Sequence, residues 1–315
     1  MHETAMTAKS PPPMFRLQCQ ADALAGNFPP LLVAAERAAA MVAQGVHGRW
    51  RAGQGESFWQ YRPYEAGDPV HHIDWRRSAR SDALYLRENE WEAAQSVWLW
   101  IDASPSMQYK SARGLPEKRE RAGLLALALG SLLIRGGEQI APLGRQAWPS
   151  RGRAAIDLLA AALLDRLDPA RKDASESLPP YENIPKYGRL VLLSDFMEPL
   201  EDLNRAIGMF ANQGVQGHVL QILDPAEQDL PFRGRTRFEG MENEGAALIG
   251  RVEGVQGTYR ATLKLHQAGL RDIARCAGWS CGFHVTSSSP EAALLSLYTA
   301  LAGPQDVGAA TGAGG

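Results

Sequence analysis

Cysteine is scarce in this chain. Cys19, Cys276 and Cys281 are its three thiols, an odd number without Cys-x-x-Cys spacing, which argues against a disulfide framework or a cysteine zinc site and suits a reducing compartment. Long apolar runs are missing too: the longest candidate, Gly123 to Ile134, has twelve residues, against the ~20 that cross a bilayer. It reads as a buried helix. Neither sign of charge is in excess, with Lys plus Arg at 33 and Asp plus Glu at 35, so the basic field that marks nucleic-acid binders is absent. Residues 1–15 lack the charged-then-apolar pattern of a signal peptide and carry Pro11 to Pro13 instead. A cytoplasmic protein with no membrane span is expected. Gly136-Gly137 and Gly152 do not extend to a Gly-x-x-x-x-Gly-Lys-Ser/Thr loop, which speaks against ATP binding by this chain. No Gly-x-Ser-x-Gly elbow occurs, and Ser104 stands beside Pro105 without an evident histidine partner, which speaks against serine-hydrolase chemistry. Threonine is absent from the whole stretch between Thr7 and Thr236.

What is present organises the chain. Its 315 residues, 45% of them hydrophobic, suffice for one large domain or two modest ones. Residues 1–28, rich in Pro, Ala and polar side chains, and residues 303–315, nearly all Gly, Ala and Thr, read as disordered tails. Residues 29–95 read as a helix, over 30–43, followed by a β-rich aromatic subdomain. From 96 to 302 strand and helix alternate. Strands are predicted at 97–102, 138–143, 189–194, 216–222 and 280–286, and helices at 116–135, 152–166, 199–212, 258–277 and 290–301. This order predicts an α/β fold with a doubly wound, mainly parallel sheet. Pro231, Gly234 and Gly240 punctuate two short runs within 224–253, a segment that reads as a hairpin insertion.

The first strand ends in Asp102-Ala-Ser104-Pro-Ser106. One carboxylate and two hydroxyls on a turn at the C-terminal edge of a sheet form a hard oxygen ligand set that suits a divalent cation. Such side chains also commonly hydrogen-bond the backbone of their own turn, and both readings stand at this point.

Upstream, Tyr64-Glu-Ala-Gly-Asp68 and Ile73-Asp74-Trp75-Arg-Arg-Ser-Ala-Arg80, followed by Leu86-Arg-Glu and the Asp-x-Ser-x-Ser strand, resemble the DUF58 family over about residues 45–300. Members of that family resemble von Willebrand factor A domains. The resemblance implies a metal-ion-dependent adhesion site, in which Asp102, Ser104, Ser106 and a second carboxylate surround Mg²⁺ or Mn²⁺ and a partner's carboxylate completes the shell. Asp195, directly after the apolar strand Leu190 to Leu193, fits that second carboxylate. The threonine ligand of the pattern is missing here; Ser150 is the one hydroxyl its loop offers, and at a helix N-terminus such a hydroxyl is commonly a cap. The resemblance further implies a non-enzymatic, chaperone-like, protein-binding adaptor working with a MoxR-type AAA+ ATPase, its client or both, in protein maturation or complex assembly.

Two other readings draw on different residues. Segment 46–92 holds Trp50, Trp59, Trp75 and Trp91 with seven arginines, but also eight acidic residues, so no field attractive to phosphate results. Arg62, Tyr64, Asp68, Asp74, Trp75 and Arg80 read either as an Arg-carboxylate and aromatic structural network or as a metal-free partner surface. His71 and His72 are adjacent and would point to opposite faces of a strand, which disfavours a histidine metal site. His218 and His284 read as structural. A metal-dependent phosphoesterase built on the same carboxylates is the enzymatic alternative, with few acidic ligands for two-metal chemistry.

Overall fold

Between Ser96 and Ala302 five apolar strands are each followed by a helix before the next, an order that requires crossover connections between parallel strands. The structure, a computed structural model, describes residues 13–26, 52–53, 57–63, 78, 84–90, 95–167, 177–241 and 245–302. They divide into two units, residues 1–33 with 95–315, and residues 34–94. In the smaller unit β1 (Ala52–Gly53), β2 (Ser57–Pro63) and β3 (Tyr85–Glu90) form an antiparallel sheet in the order β1-β3-β2, with a bulge between Phe58 and Gln60. The buried hydroxyl of Ser78 accepts a hydrogen bond from Tyr85 N at 2.9 Å. The helix predicted over 30–43, the histidine pair and the tail 303–315 lie outside the described residues.

The larger unit contains α1 (Pro13–Gly26), β4 (Ser96–Ile101), α2 (Lys118–Arg135), β5 (Gln139–Pro142), α3 (Arg153–Leu167) and β6 (Arg189–Ser194). It continues with α4 (Leu200–Ala211), β7 (Gln216–Leu223), α5 (Pro225–Asp229), β8 (Thr236–Glu239), β9 (Ala246–Ile249), α6 (Gln256–Cys276), β10 (Ser280–Val285) and α7 (Pro290–Ala302). Five strands form an all-parallel sheet in the order β10-β7-β6-β4-β5. Helices cover both of its faces. Alternate side chains of β4 show why: Val97, Leu99 and Ile101 enter a core with Leu125 and Leu129 of α2, Leu159 of α3 and Leu294 of α7. Trp98 and Trp100 enter another, with Leu203 and Phe210 of α4 and Leu270 of α6. A strand buried on two faces has no polar side to present, and hence reads as an unbroken apolar run. This is the doubly wound α/β arrangement expected of a von Willebrand factor A-like fold.

Two expectations are altered. Residues 13–26, expected within a disordered tail, form α1, which lies along α2 with Ala21 fully buried and Leu17 packed on the same core. Leu17 and Ala21 are one helical turn apart, a pair too small to register as periodicity behind a proline run. The segment 224–253 contains the expected hairpin, with β8 and β9 antiparallel, but opens with α5. Asp224 explains the helix, because its side chain accepts from Ala226 N at 2.8 Å while Glu227 accepts from Asp224 N at 2.8 Å. This is a reciprocal capping box. Among the described residues no helix is long and apolar enough to cross a membrane.

His218 of β7 is enclosed by the fold, with Nδ1 2.7 Å from Ser280 Oγ and a buried, unpartnered Nε2. Burial pushes its pKa down to about 4. A neutral native imidazole contributes stability above its ordinary value, and that contribution is lost as pH falls through the native value. Between pH 6.5 and 4 this group should cost up to about 3 kcal/mol. Urea unfolding of the wild type and His218→Gln across that range tests the assignment, and parallel pH profiles would refute it.

Candidate functional site

Parallel strands place their C-terminal ends at one edge of the sheet, and β4 and β6 are neighbours there. Asp102 N donates to Leu193 O at 2.9 Å, which carries the pairing one residue beyond β4 and leaves Asp102 and Asp195 at the same rim. Both carboxylates are buried. Asp102 Oδ1 accepts from Ser104 N at 2.7 Å, and Oδ2 accepts from Ser194 Oγ at 2.6 Å. The hydroxyl of Ser194 in turn accepts from Phe196 N at 3.0 Å. Each of the two turns is therefore closed partly through the other.

The remaining motif side chains continue the network. After Asp102 the chain enters a 3₁₀ turn, Pro105–Gln108, pinned by the fully buried Met107. Ser104 Oγ and Ser106 Oγ lie 3.0 Å apart, and Ser106 Oγ donates to Asp195 Oδ2 at 2.7 Å. Phe196 carries a left-handed backbone, φ 46°, although it is bulky and buried. Such a conformation persists only where the surroundings impose it. Here Phe196 N is held by Ser194, Phe196 O lies 2.6 Å from His266 Nε2, and Asp195 O accepts from Gln221 Nε2 at 2.7 Å. Glu198, on the same loop, brings a third carboxylate: one oxygen from each of Asp102, Asp195 and Glu198 lies within 4.8 Å of the others.

A cation is already built into this edge. Lys118, the first residue of α2, is 0% exposed, and its Nζ donates to Asp195 Oδ2 at 2.7 Å and to Glu227 Oε1 at 2.6 Å. Burial alone would lower its pKa, but the Asp195 and Glu227 carboxylates outweigh that and raise it. Burial raises Glu227 in spite of Lys118. Asp102 is pushed up to about 7, by burial first and then by the charge of Asp195, against the lowering effect of its Ser194 and Ser104 hydrogen bonds. Asp195 and Glu227 thus share one ammonium, while Asp102 is held by hydrogen bonds alone. The donor set, made of carboxylate and hydroxyl oxygens with excess negative charge, fits a hard divalent cation.

Asp102, Ser104, Ser106 and Asp195 are brought together, and the backbone-bonding role of the turn operates alongside any ligand role. Ser150 does not join them: its N and O both pair with Ile140 at 3.0 Å, and among the described residues no hydrogen bond links it to the cluster. Arg62 lies on β2 opposite Leu86, whereas Tyr64, Asp68, Asp74, Trp75 and Arg80 lie outside the described residues. Sequence reasoning missed Lys118, Ser194, Glu198 and Glu227. Signals for two of them existed. A lysine opening a helix opposes the helix dipole and calls for a reason, and Asp224-x-x-Glu227 is a legible capping box.

Asp102 titrates in the direction of an unrelieved buried acid. Its native pKa stands above the ordinary carboxylate value of 3.8, so the stability it contributes is complete below 3.8 and is lost as pH rises through about 7. In metal-free buffer Asp102→Asn should therefore match the wild type near pH 4 and exceed it above pH 7, by at most about 4 kcal/mol. The amide can accept from Ser104 N and donate to Ser194 Oγ, so the turn is retained. Denaturant unfolding at both pH values decides; a variant less stable than the wild type above pH 7 would contradict the charge assignment.

Comparison with known proteins places the chain. Uncharacterized proteins of Mycobacterium bovis and Mycobacterium tuberculosis are each 26% identical to it over 303 residues, covering 92% of this chain and 89% of theirs. Among solved structures, an aerotolerance-related membrane protein from Bacteroides fragilis is 16% identical with a TM-score of 0.37, covering 66% of this chain and 99% of that one. An uncharacterized membrane spanning protein from Vibrio fischeri is 15% identical with a TM-score of 0.17, over 66% and 98% of the two chains. A family profile described as "Protein of unknown function DUF58" matches residues 60–269. That span takes in the second half of β2, the Asp-x-Ser-x-Ser turn, Lys118, Asp195 and Glu227, about two thirds of the chain, and the chain belongs to the DUF58 family.

Proposed function

We propose that this protein is a non-enzymatic, cytoplasmic binding adaptor that engages a carboxylate of a partner at the C-terminal edge of its parallel sheet. The partner class is a MoxR-type AAA+ ATPase or the protein on which that ATPase acts, as the family resemblance implies. One observation carries the reading: two hydroxyls and the carboxylates of Asp102 and Asp195 meet on adjoining turns, with Glu198 within 4.8 Å of both acids. Asp102, Ser104, Ser106 and Asp195 would hold Mg²⁺ or Mn²⁺, with Glu198 adding a carboxylate where the threonine of the adhesion pattern is absent. When bound, such a cation supplies an open coordination position for a carboxylate oxygen.

The protein's own residues act by positioning. Ser194 and Ser104 N fix the Asp102 carboxylate, Ser106 and Lys118 fix that of Asp195, and Gln221, itself bonded by Gln267 Nε2 at 2.8 Å, fixes the Asp195 backbone. Binding at such an edge needs no bond to be made or broken. Both serine hydroxyls are engaged within the cluster, Ser106 by a carboxylate.

Calorimetric titration should give saturable Mg²⁺ and Mn²⁺ binding by the wild type and at least about tenfold weaker binding by Asp102→Ala, which loses a charged ligand. Capture of a purified MoxR-type ATPase should fall in chelator and in Asp195→Ala. Capture that ignores both would remove the cation from the mechanism and favour a metal-free surface in segment 46–92. A phosphatase activity lost in Asp195→Ala would replace the adaptor by an enzyme.

A further inference from the structure

Nothing local favours a lysine at position 118. It opens an 18-residue helix, where the dipole disfavours positive charge, and its ammonium is 0% exposed. Removing an ammonium from water costs several kcal/mol unless close partners offset it. Its partners are carboxylates from two different elements, Asp195 on the loop after β6 and Glu227 on α5. Asp195 Oδ2, which accepts Lys118 Nζ at 2.7 Å, also accepts Ser106 Oγ at 2.7 Å, so the ammonium joins the hydroxyl-carboxylate line of the candidate cation site at its central oxygen.

We infer that Lys118 is the resident counter-cation of this edge: it holds the acidic cluster together when no divalent cation is bound and, by repulsion, keeps divalent-cation binding weak and reversible. This rests on the reading of the edge as a cation site. The charge count supports it. The ammonium bonds Asp195 and Glu227, and Asp102 and Glu198 each bring a carboxylate oxygen within 4.8 Å of Asp195, so carboxylates outnumber the ammonium at this edge while a like charge stands beside any divalent ion held there. A second consequence follows from Glu227, since Lys118 also ties the edge to α5. That helix is held to the loop after the motif by Ser111 N on Asp224 Oδ2 at 3.0 Å, and to α6 by Tyr259 Oη on Glu227 O at 2.5 Å. Removing the ammonium should loosen both connections together.

Thermal unfolding in chelator and in Mg²⁺, with calorimetric Mg²⁺ titration, tests this in the wild type, Lys118→Met and Lys118→Gln. The glutamine variant keeps a donor toward Asp195 without the charge. In chelator Lys118→Met should unfold at least about 5 °C below the wild type, and saturating Mg²⁺ should restore most of the loss. Both variants should bind Mg²⁺ at least about tenfold more tightly than the wild type, because a like charge has been removed at close range. Wild-type affinity in the variants, or no loss of melting temperature for Lys118→Met in chelator, overturns the role of Lys118 while leaving the cation site intact. Absence of Mg²⁺ binding by all three proteins overturns the cation site as well. Failure of both variants to fold even in saturating Mg²⁺ also overturns the inference, since the divalent ion should replace the lost charge.

Discussion

Two buried carboxylates at the ends of adjacent strands are the constraint around which this edge is built. Asp102 and Asp195 follow β4 and β6, and the parallel pairing of those strands leaves no choice about their proximity. Like charges in a low-dielectric rim repel strongly, and each feature of the surroundings answers that repulsion. Ser194 and the Ser104 amide donate to one carboxylate, and Ser106 and Lys118 donate to the other. The compensation is unequal. Asp195 has the ammonium and Asp102 does not; burial first, and then the charge of Asp195, push the Asp102 carboxyl up to about 7.

The same constraint explains the backbone around the site. A left-handed conformation at the buried Phe196 would relax if its loop were free, but Ser194, His266 and Gln221 fasten the loop on both sides of the residue. Ser194 is the economical element, since one hydroxyl donates to Asp102 and accepts from the strained residue's amide. Lys118 extends the network to α5, whose capping box orients Glu227, and α5 leads into the β8–β9 hairpin. The insertion is thereby connected to the charge state of the edge through a single ammonium.

How far the sequence discloses this depends on the range of each interaction. β4 is legible because its burial on two faces leaves an unbroken apolar run ended by an aspartate, a pattern contained in six residues. The β8–β9 hairpin is legible through its glycines. α1 is not, because its contribution to the core rests on Leu17 and Ala21, and only packing on α2 distinguishes such a pair from chance. Lys118 is the clearest failure. Its carboxylate partners are 77 and 109 residues away, so the local text shows a lysine at an unfavourable place and nothing of its reason. For Ser150 the sequence offers a hydroxyl read either as a weak ligand or as a cap; an antiparallel bridge to Ile140 holds its backbone, and among the described residues no hydrogen bond links it to the carboxylates.

The missing threonine gains meaning from what surrounds the gap. A hydroxyl ligand is neutral, whereas Glu198, close to both aspartates, brings a charge. Exchanging a neutral donor for a carboxylate deepens the negative potential of the rim, and a lysine drawn to the centre of the cluster opposes it. On the proposed reading of this edge as a cation site, the two charges act in opposite directions, the Glu198 carboxylate strengthening cation binding and the Lys118 ammonium weakening it. Lys118 is bonded to Glu227 of α5 as well as to Asp195, so on that reading the balance at the edge depends on where α5 sits.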